Sequence, residues 1–236
     1  MTTERATISS SGDSALRVVS TLGDREANWR LAHHLARHLD AGEIPGVVGT
    51  IPTYDALLIE LDPVGAARDK LIPFLEHIID SLDVDAPLTT NPRHFVVPVL
   101  YDLEFAPDLA DVAAAQGLSV EEIIRIHSEP EYTVRCLGSP GGSPMLDGPA
   151  FPMPVPRLSS PRASVPQGVV SVAGRQATIT PAVAPGGWAL IGRTPLTVLD
   201  LTTEPFVPYA PGDTIRFRPI DRAEFDARLG ERMAAA

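Results

Sequence analysis

A chain of 236 residues with 44% hydrophobic and 21% charged residues buries roughly 70–75% of its unfolded surface, enough for one large or two small domains without a stabilising disulfide or metal. One cysteine, Cys136, excludes an internal disulfide and a Cys-rich zinc site, and one lysine, Lys70, leaves no P-loop signature and little scope for lysine chemistry. The net charge is −11, divided as −13 over the first 150 residues and +2 over the last 86, and an acidic front half repels phosphate backbones and argues against nucleic acid as a partner.

Residues 1–11 are Ser/Thr-rich and read as disordered, with no apolar signal core. Residues 13–22 cluster apolar side chains as a strand does. Asp24 is placed to cap a helix to about Asp40, with Trp29, Ala32, Leu35, Ala36 and Leu39 at helical spacing. VVGTI after Pro45-Gly46 and YDALLIEL over 54–61 read as a hairpin turning at 52–55. A helix over 67–82 puts Leu71, Phe74, Leu75, Ile78 and Ile79 on one face. The β-α-β-β-α order predicts a small α+β domain over 12–88.

Residues 85–92, with two prolines, read as a linker. A strand follows over 93–101. Pro107, Asp108 and Asp111 suit a helix start, and Ser119 with Glu122 forms a capping box for a helix to about His127. Residues 131–137 alternate as a strand, and the Gly/Ser/Pro run 137–144 reads as a lid or connector. Fifteen of the 24 prolines lie between 140 and 219. Short β-like runs at 168–172, 176–180, 188–191, 196–199 and 214–218, punctuated by Gly and Pro, predict a closed or nearly closed antiparallel barrel over 92–221. Pro211-Gly212-Asp213 reads as a turn into the last strand, and 223–236 as a short helical tail. No apolar run reaches the ~18 residues of a membrane span, so the expected location is the cytoplasm.

Several side chains are candidates for chemistry. In Pro185-Gly186-Gly187-Trp188 the glycine amides can bind an anion and Trp188 offers an apolar wall; a tight turn with a core tryptophan is the plainer reading. Arg193, followed by Thr194, can pair a carboxylate bidentately. Arg162, between two prolines, sits on a stiff backbone suited to the same task, or bonds loop carbonyls. Gln176 can orient an amide. His127, at a helix end, is a general acid–base candidate whose cation the helix dipole favours. Glu104 and Asp108 read as an acid–base pair or as helix-start electrostatics. His34 and His38, four apart, lack a third ligand, so no metal site is expected. Cys136 reads as a small core residue. These residues alone name no substrate.

The ordered set Gly12-Asp13-Ser14-Ala15-Leu16, Pro45-Gly46-Val47-Val48, Glu104-Phe105-Ala106-Pro107-Asp108-Leu109, His127-Ser128, Pro130-Glu131-Tyr132, Pro161-Arg162, Gln176, Pro185-Gly186-Gly187-Trp188, Ile191-Gly192-Arg193-Thr194-Pro195 and Pro211-Gly212-Asp213 resembles the family of the bacterial 5-oxoprolinase B subunit, also known as allophanate hydrolase subunit 1 or KipI. The resemblance implies a cyclophilin-like β-barrel after the α+β domain and a KipA-like partner, the C subunit. It implies a third component, the A subunit, with which such proteins cleave 5-oxoproline to glutamate using ATP. ATP is then expected through the assembled complex and not on this chain alone. The matched positions imply a small carboxylate or amide substrate held by Arg162, Gln176, Gly186, Gly187, Trp188, Arg193 and Thr194, with His127 as acid–base. Inhibition of a sensor histidine kinase, and a carboxyltransferase half-site, are the alternative functions. The 138–146 loop departs from the family in lacking its two aromatic anchors, and 176–181 departs at the residues after Gln176.

Overall fold

Two strands, β1 (Ala6–Ser10) and β2 (Ala15–Ser20), open the first unit as an antiparallel hairpin in which Ala6 pairs with Ser20 and Ser10 with Leu16. A computed structural model describes residues 4–138 and 141–236. Contacts divide the chain into one unit ending at Thr90 and another beginning at Asn91. In the first, α1 (Arg25–Ala41) starts where the Asp24 carboxylate accepts from the Ala27 amide at 2.8 Å. β3 (Val47–Pro52) and β4 (Ala56–Leu61) form the second hairpin, and α2 (Arg68–Ser81) closes the unit. The sheet order is β1-β2-β4-β3, antiparallel throughout. Leu16, Val18, Leu57 and Ile59 from one sheet face pack with Leu31, Leu35, Leu39, Leu75 and Ile79 from the helices.

Two expectations fail in this unit. Residues 6–10, expected to be disordered, are a paired edge strand, because burying Ala6 and Ile8 alone anchors it while its serines face outward. Phe74, expected on the buried face of α2, is 40% exposed; Leu71, Leu75, Ile78 and Ile79 fill that face without it.

The second unit contains β5 (His94–Val99), α3 (Leu109–Gln116), α4 (Val120–Ser128), β6 (Glu131–Gly138) and β7 (Ser143–Asp147). There follow β8 (Arg162–Val165), β9 (Val169–Ala173), β10 (Gln176–Ile179), β11 (Ala184–Gly186), β12 (Ala189–Arg193), β13 (Thr214–Pro219) and α5 (Arg222–Ala227). Seven strands form one curled sheet in the order β12-β9-β10-β7-β6-β13-β5, and β8 and β11 make a separate pair. The sheet is antiparallel except that β13 runs parallel to β5. Leu100, just past β5, exchanges both backbone hydrogen bonds with Arg193 at the end of β12, at 2.9 and 3.0 Å, so the two outer strands meet at one end. The capping box at α4 is present: Ser119 accepts from Glu122 N, and Glu122 accepts from Ser119 N. Asp213 N–H donates to Ala210 O in the turn before β13.

Three further expectations change. Residues 196–199 add no sheet strand; only Thr197 bridges, to Arg232, because Pro195 follows the end of β12 and the backbone turns to the C-terminal tail. That tail is helical only over α5, after which Met233 is buried and Ala236 N–H donates to His94 O. Of the 137–144 run, Gly138 pairs with Ser143 across β6 and β7, and Ser143 and Pro144 are buried; Ser139 and Pro140 lie outside the described residues. Among the described residues no helix is long and apolar enough to cross a membrane, and no group of three His, Cys, Asp or Glu is placed to hold a metal ion.

Candidate functional site

The site grows from the turn that starts α3. Pro107 is followed by Asp108 at the N-cap position, yet the Asp108 side chain makes no capping bond. Its carboxylate reaches across to the sheet. Oδ2 accepts from the Leu190 amide at 2.7 Å, and Oδ1 accepts from Arg162 Nη2 at 2.7 Å. The Asp108 amide donates in turn to Leu190 O at 3.2 Å. A buried carboxylate thus joins α3, β12 and β8 through charge-assisted hydrogen bonds. Beside it lies a cavity of about 210 Å³, to which α3 contributes Asp108, Asp111 and Gln116, the 155–158 segment contributes Pro156 and Leu158, and β12 contributes Ala189.

Two hydrogen-bond sets hold its walls. The Gln116 amide exchanges both bonds with the Met153 backbone, Nε2 to O at 3.0 Å and N to Oε1 at 2.8 Å. The Leu158 amide donates to Gly187 O at 2.8 Å, which fastens the 155–158 segment to the Pro185-Gly186-Gly187-Trp188 run. Gly186 pairs with Arg162 across β8 and β11, and a side chain there would strike Val165 at 2.9 Å. Arg162 therefore joins Asp108 to β11, while Gly186, Gly187 and half-buried Trp188 lead into Ala189 without lining the cavity themselves.

The other sequence candidates fall elsewhere. Arg193 leaves the far end of β12, where its Nε donates to Gln167 O at 3.2 Å and its guanidinium lies 5.2 Å from the Phe105 ring centre. Arg222 approaches the same ring at 5.1 Å and bonds Glu104 at 2.7 Å. Three arginines thus engage the 104–108 run, Arg162 at one end and Arg193 with Arg222 at the other. Thr194 is buried, and its hydroxyl accepts from Leu196 N at 3.3 Å. Gln176 begins β10, paired with Asp147 and Ala173, and does not line the cavity.

Arg162 and His127 are each held by contacts inside the fold. Arg162 gives Nη2 to Asp108, and its Nη1 is buried without a hydrogen-bond partner among the described residues. His127 is fully buried. Its Nδ1 lies 2.7 Å from Tyr101 Oη, its ring stacks on Phe217 at 4.4 Å, and Nε2 has no partner among the described residues. Tyr132 Oη donates to His127 O at 2.8 Å. Burial lowers the imidazole from 6.5 to about 3, so the ring is neutral and the helix dipole does not hold it as a cation. Burial also raises the Tyr101 and Tyr132 phenols, and raises the Cys136 thiol to about 11, which suits a core cysteine. The reach of Asp108 to β12 and β8 left no linear signature, because its partners lie 54 and 82 positions away.

The cavity has room for about seven water molecules, the size class of a small acid or amide. It presents two carboxylates, Asp108 and Asp111, and no lysine.

This architecture is that of a carboxyltransferase domain: residues 6–209 match the family described as carboxyltransferase domain, subdomain C and D. The crystal structure of Kluyveromyces lactis urea carboxylase superposes with a TM-score of 0.75 over 98% of this chain and 24% of that chain; at 17% identity the likeness is one of fold. The crystal structure of TTHA0988 is 32% identical with a TM-score of 0.72, and covers 88% of this chain, which spans only 40% of that longer one. The B subunit of 5-oxoprolinase from Bacillus subtilis (strain 168) is 33% identical over 95% of this chain and 97% of its own length. That of Escherichia coli O157:H7 is 34% identical over 84% of this chain and 87% of its own length. The chain belongs to the 5-oxoprolinase B subunit family.

Proposed function

We propose that this chain is the B subunit of an ATP-dependent, 5-oxoprolinase-like assembly that opens the lactam of 5-oxoproline to glutamate. It works in the cytoplasm with a KipA-like partner, the C subunit, and with an A subunit. The observation that carries the reading is the end-to-end similarity to the Bacillus subtilis protein, at 33% identity over 97% of that protein's length. In this reading the curled seven-stranded sheet is a cyclophilin-like barrel. The Asp108 cavity takes the small carboxylate or amide substrate, with Gly186, Gly187 and Trp188 along its edge and Arg162 holding Asp108 in place.

Hydrolysis of an unstrained lactam is hard, and phosphorylation of the amide oxygen supplies the driving force. The acidic cavity of this chain leaves ATP to the partner subunits. Correspondence to only 40% of the TTHA0988 chain supports a unit that works beside further polypeptide. Gln176, Arg193 and Thr194 then act on the barrel framework or at the face met by a partner, and His127 braces the core. The test is reconstitution of the A, B and C subunits with 5-oxoproline and ATP. Glutamate formation that disappears when this chain is left out supports the reading. Glutamate formation at the same rate without it, or inhibition of a sensor kinase by this chain with no lactamase activity, overturns it.

A further inference from the structure

We propose that the cavity between the end of α1 and the start of α2 binds a small apolar monocarboxylate, with the apolar body against Ile44 and Phe74 and the carboxylate on Lys70. The site lies wholly within the first unit and is independent of the function proposed above. Its volume is about 540 Å³, inside the ~300–1,000 Å³ typical of small-molecule sites. His38, Ile44, Pro45, Lys70, Leu71 and Phe74 line it. The helical spacing of α2 put Phe74 on the buried face; its ring is instead 40% exposed and forms part of this wall. Leu71, buried in the core of the unit, backs the cavity.

The walls are set by backbone contacts. Gly46, at φ +82°, lies so close to the segment entering α2 that a Cβ would come within 2.6 Å of Ala66 Cα. The Asp62 amide donates to Gly46 O at 2.9 Å, and the Ala66 amide to Asp62 O at 3.0 Å. The Pro45-Gly46 pair thus clamps the loop after α1 against the loop before α2, and the cavity is formed in advance of any ligand. Its charge runs against that of its surroundings. The first 90 residues carry 14 acidic and seven basic side chains, yet the titratable side chains lining the cavity are His38 and Lys70. The Lys70 side chain is exposed and has neither a hydrogen bond nor an ion pair with any described residue. Ala67, also in the wall, stands at the N-cap of α2 without a side-chain cap bond, so the positive end of that helix opens on the cavity. The end of α1 brings the opposite sign, and His38 stands in its last turn. The surplus of negative charge in this unit repels an acidic membrane or a polyanion, whereas a small monoanion meets Lys70 at close range.

The experiment titrates the full chain with octanoate, and with octylammonium and 1-octanol as the same tail carrying the opposite charge or none, followed by the methyl NMR signals of Ile44 and Leu71. Octanoate is expected to shift both signals with a Kd of about 1 mM or lower, and octylammonium to bind roughly tenfold more weakly. Lys70→Met keeps the apolar stem and loses no internal partner. It should weaken octanoate about three- to tenfold, leave 1-octanol binding unaltered and leave the melting temperature unchanged. No shift of either signal at about 10 mM octanoate, or shifts produced by the C subunit and not by octanoate, overturns the small-molecule site. Equal binding of all three probes, or octanoate binding indifferent to Lys70→Met, overturns the pairing of a carboxylate with Lys70.

Discussion

At His127 two effects oppose each other. The C-terminal end of α4 favours a cation by about 1 kcal/mol, up to ~2 in partly buried sites. Complete burial against Phe217 and Tyr132 disfavours it by more, and the ring titrates at about 3. The folded value lies below the unfolded value of 6.5, so between those limits the unfolded chain binds the proton and the folded chain does not. Stability from this residue is therefore complete above about pH 6.5 and is lost as pH falls toward 3, by up to roughly 1.4 kcal/mol per pH unit. Urea unfolding of wild type and His127→Gln at pH 7, 5.5 and 4.5 should show a steeper acid decline in wild type; parallel curves would contradict it. The same residue marks a boundary of sequence reading. A histidine at a helix end announces the dipole, but the rings that close over it come from Tyr101 and Phe217, in other elements. The stiff, proline-flanked backbone singles out Arg162 in the sequence. Its pairing with Asp108 was not legible there, because the two meet only after β8 folds back onto α3.

Elements whose cause is local were read from the sequence. Asp24 caps α1, and Ser119 and Glu122 close the box on α4. Period-two burial marks β2 and β4. Elements that depend on distant partners were not: β1 exists through β2, and the 196–199 run lost its strand to a bridge with the tail. The junction of β5 and β12 is of this second kind. Gly192 lies against Val99, where a Cβ would come within 2.6 Å of Val99 Cγ1 and 3.2 Å of Leu100 O. Gly192→Ala should therefore strain the Leu100–Arg193 junction and cost about 1–3 kcal/mol. Gly187→Ala, whose Cβ meets Pro161 at an ordinary 3.5 Å, should cost far less. Thermal melts of the two variants decide it, and equal losses would show that the junction is not tightly packed.

Each unit of the chain has its own hydrophobic cluster, with Leu16, Leu35 and Ile59 in the first and Phe95, Ile123 and Phe217 in the second. A fragment starting at Asn91 should fold on its own with a cooperative melt and near-ultraviolet signals of packed aromatics; a fragment with neither would show that the second core is incomplete. At this scale the ordered motifs carried the family, while the cavity beside Asp108 took shape only from tertiary contacts. That carboxylate is the centre of the account. The most direct measurement is ATP-dependent glutamate formation by the assembled complex carrying Asp108→Asn, a change that keeps the shape and removes the charge facing Arg162. Turnover should fall at least tenfold, and stability by about 1–3 kcal/mol because Arg162 is partly exposed, with assembly of the complex preserved on size exclusion. Turnover equal to wild type would remove the Asp108 cavity from the reaction.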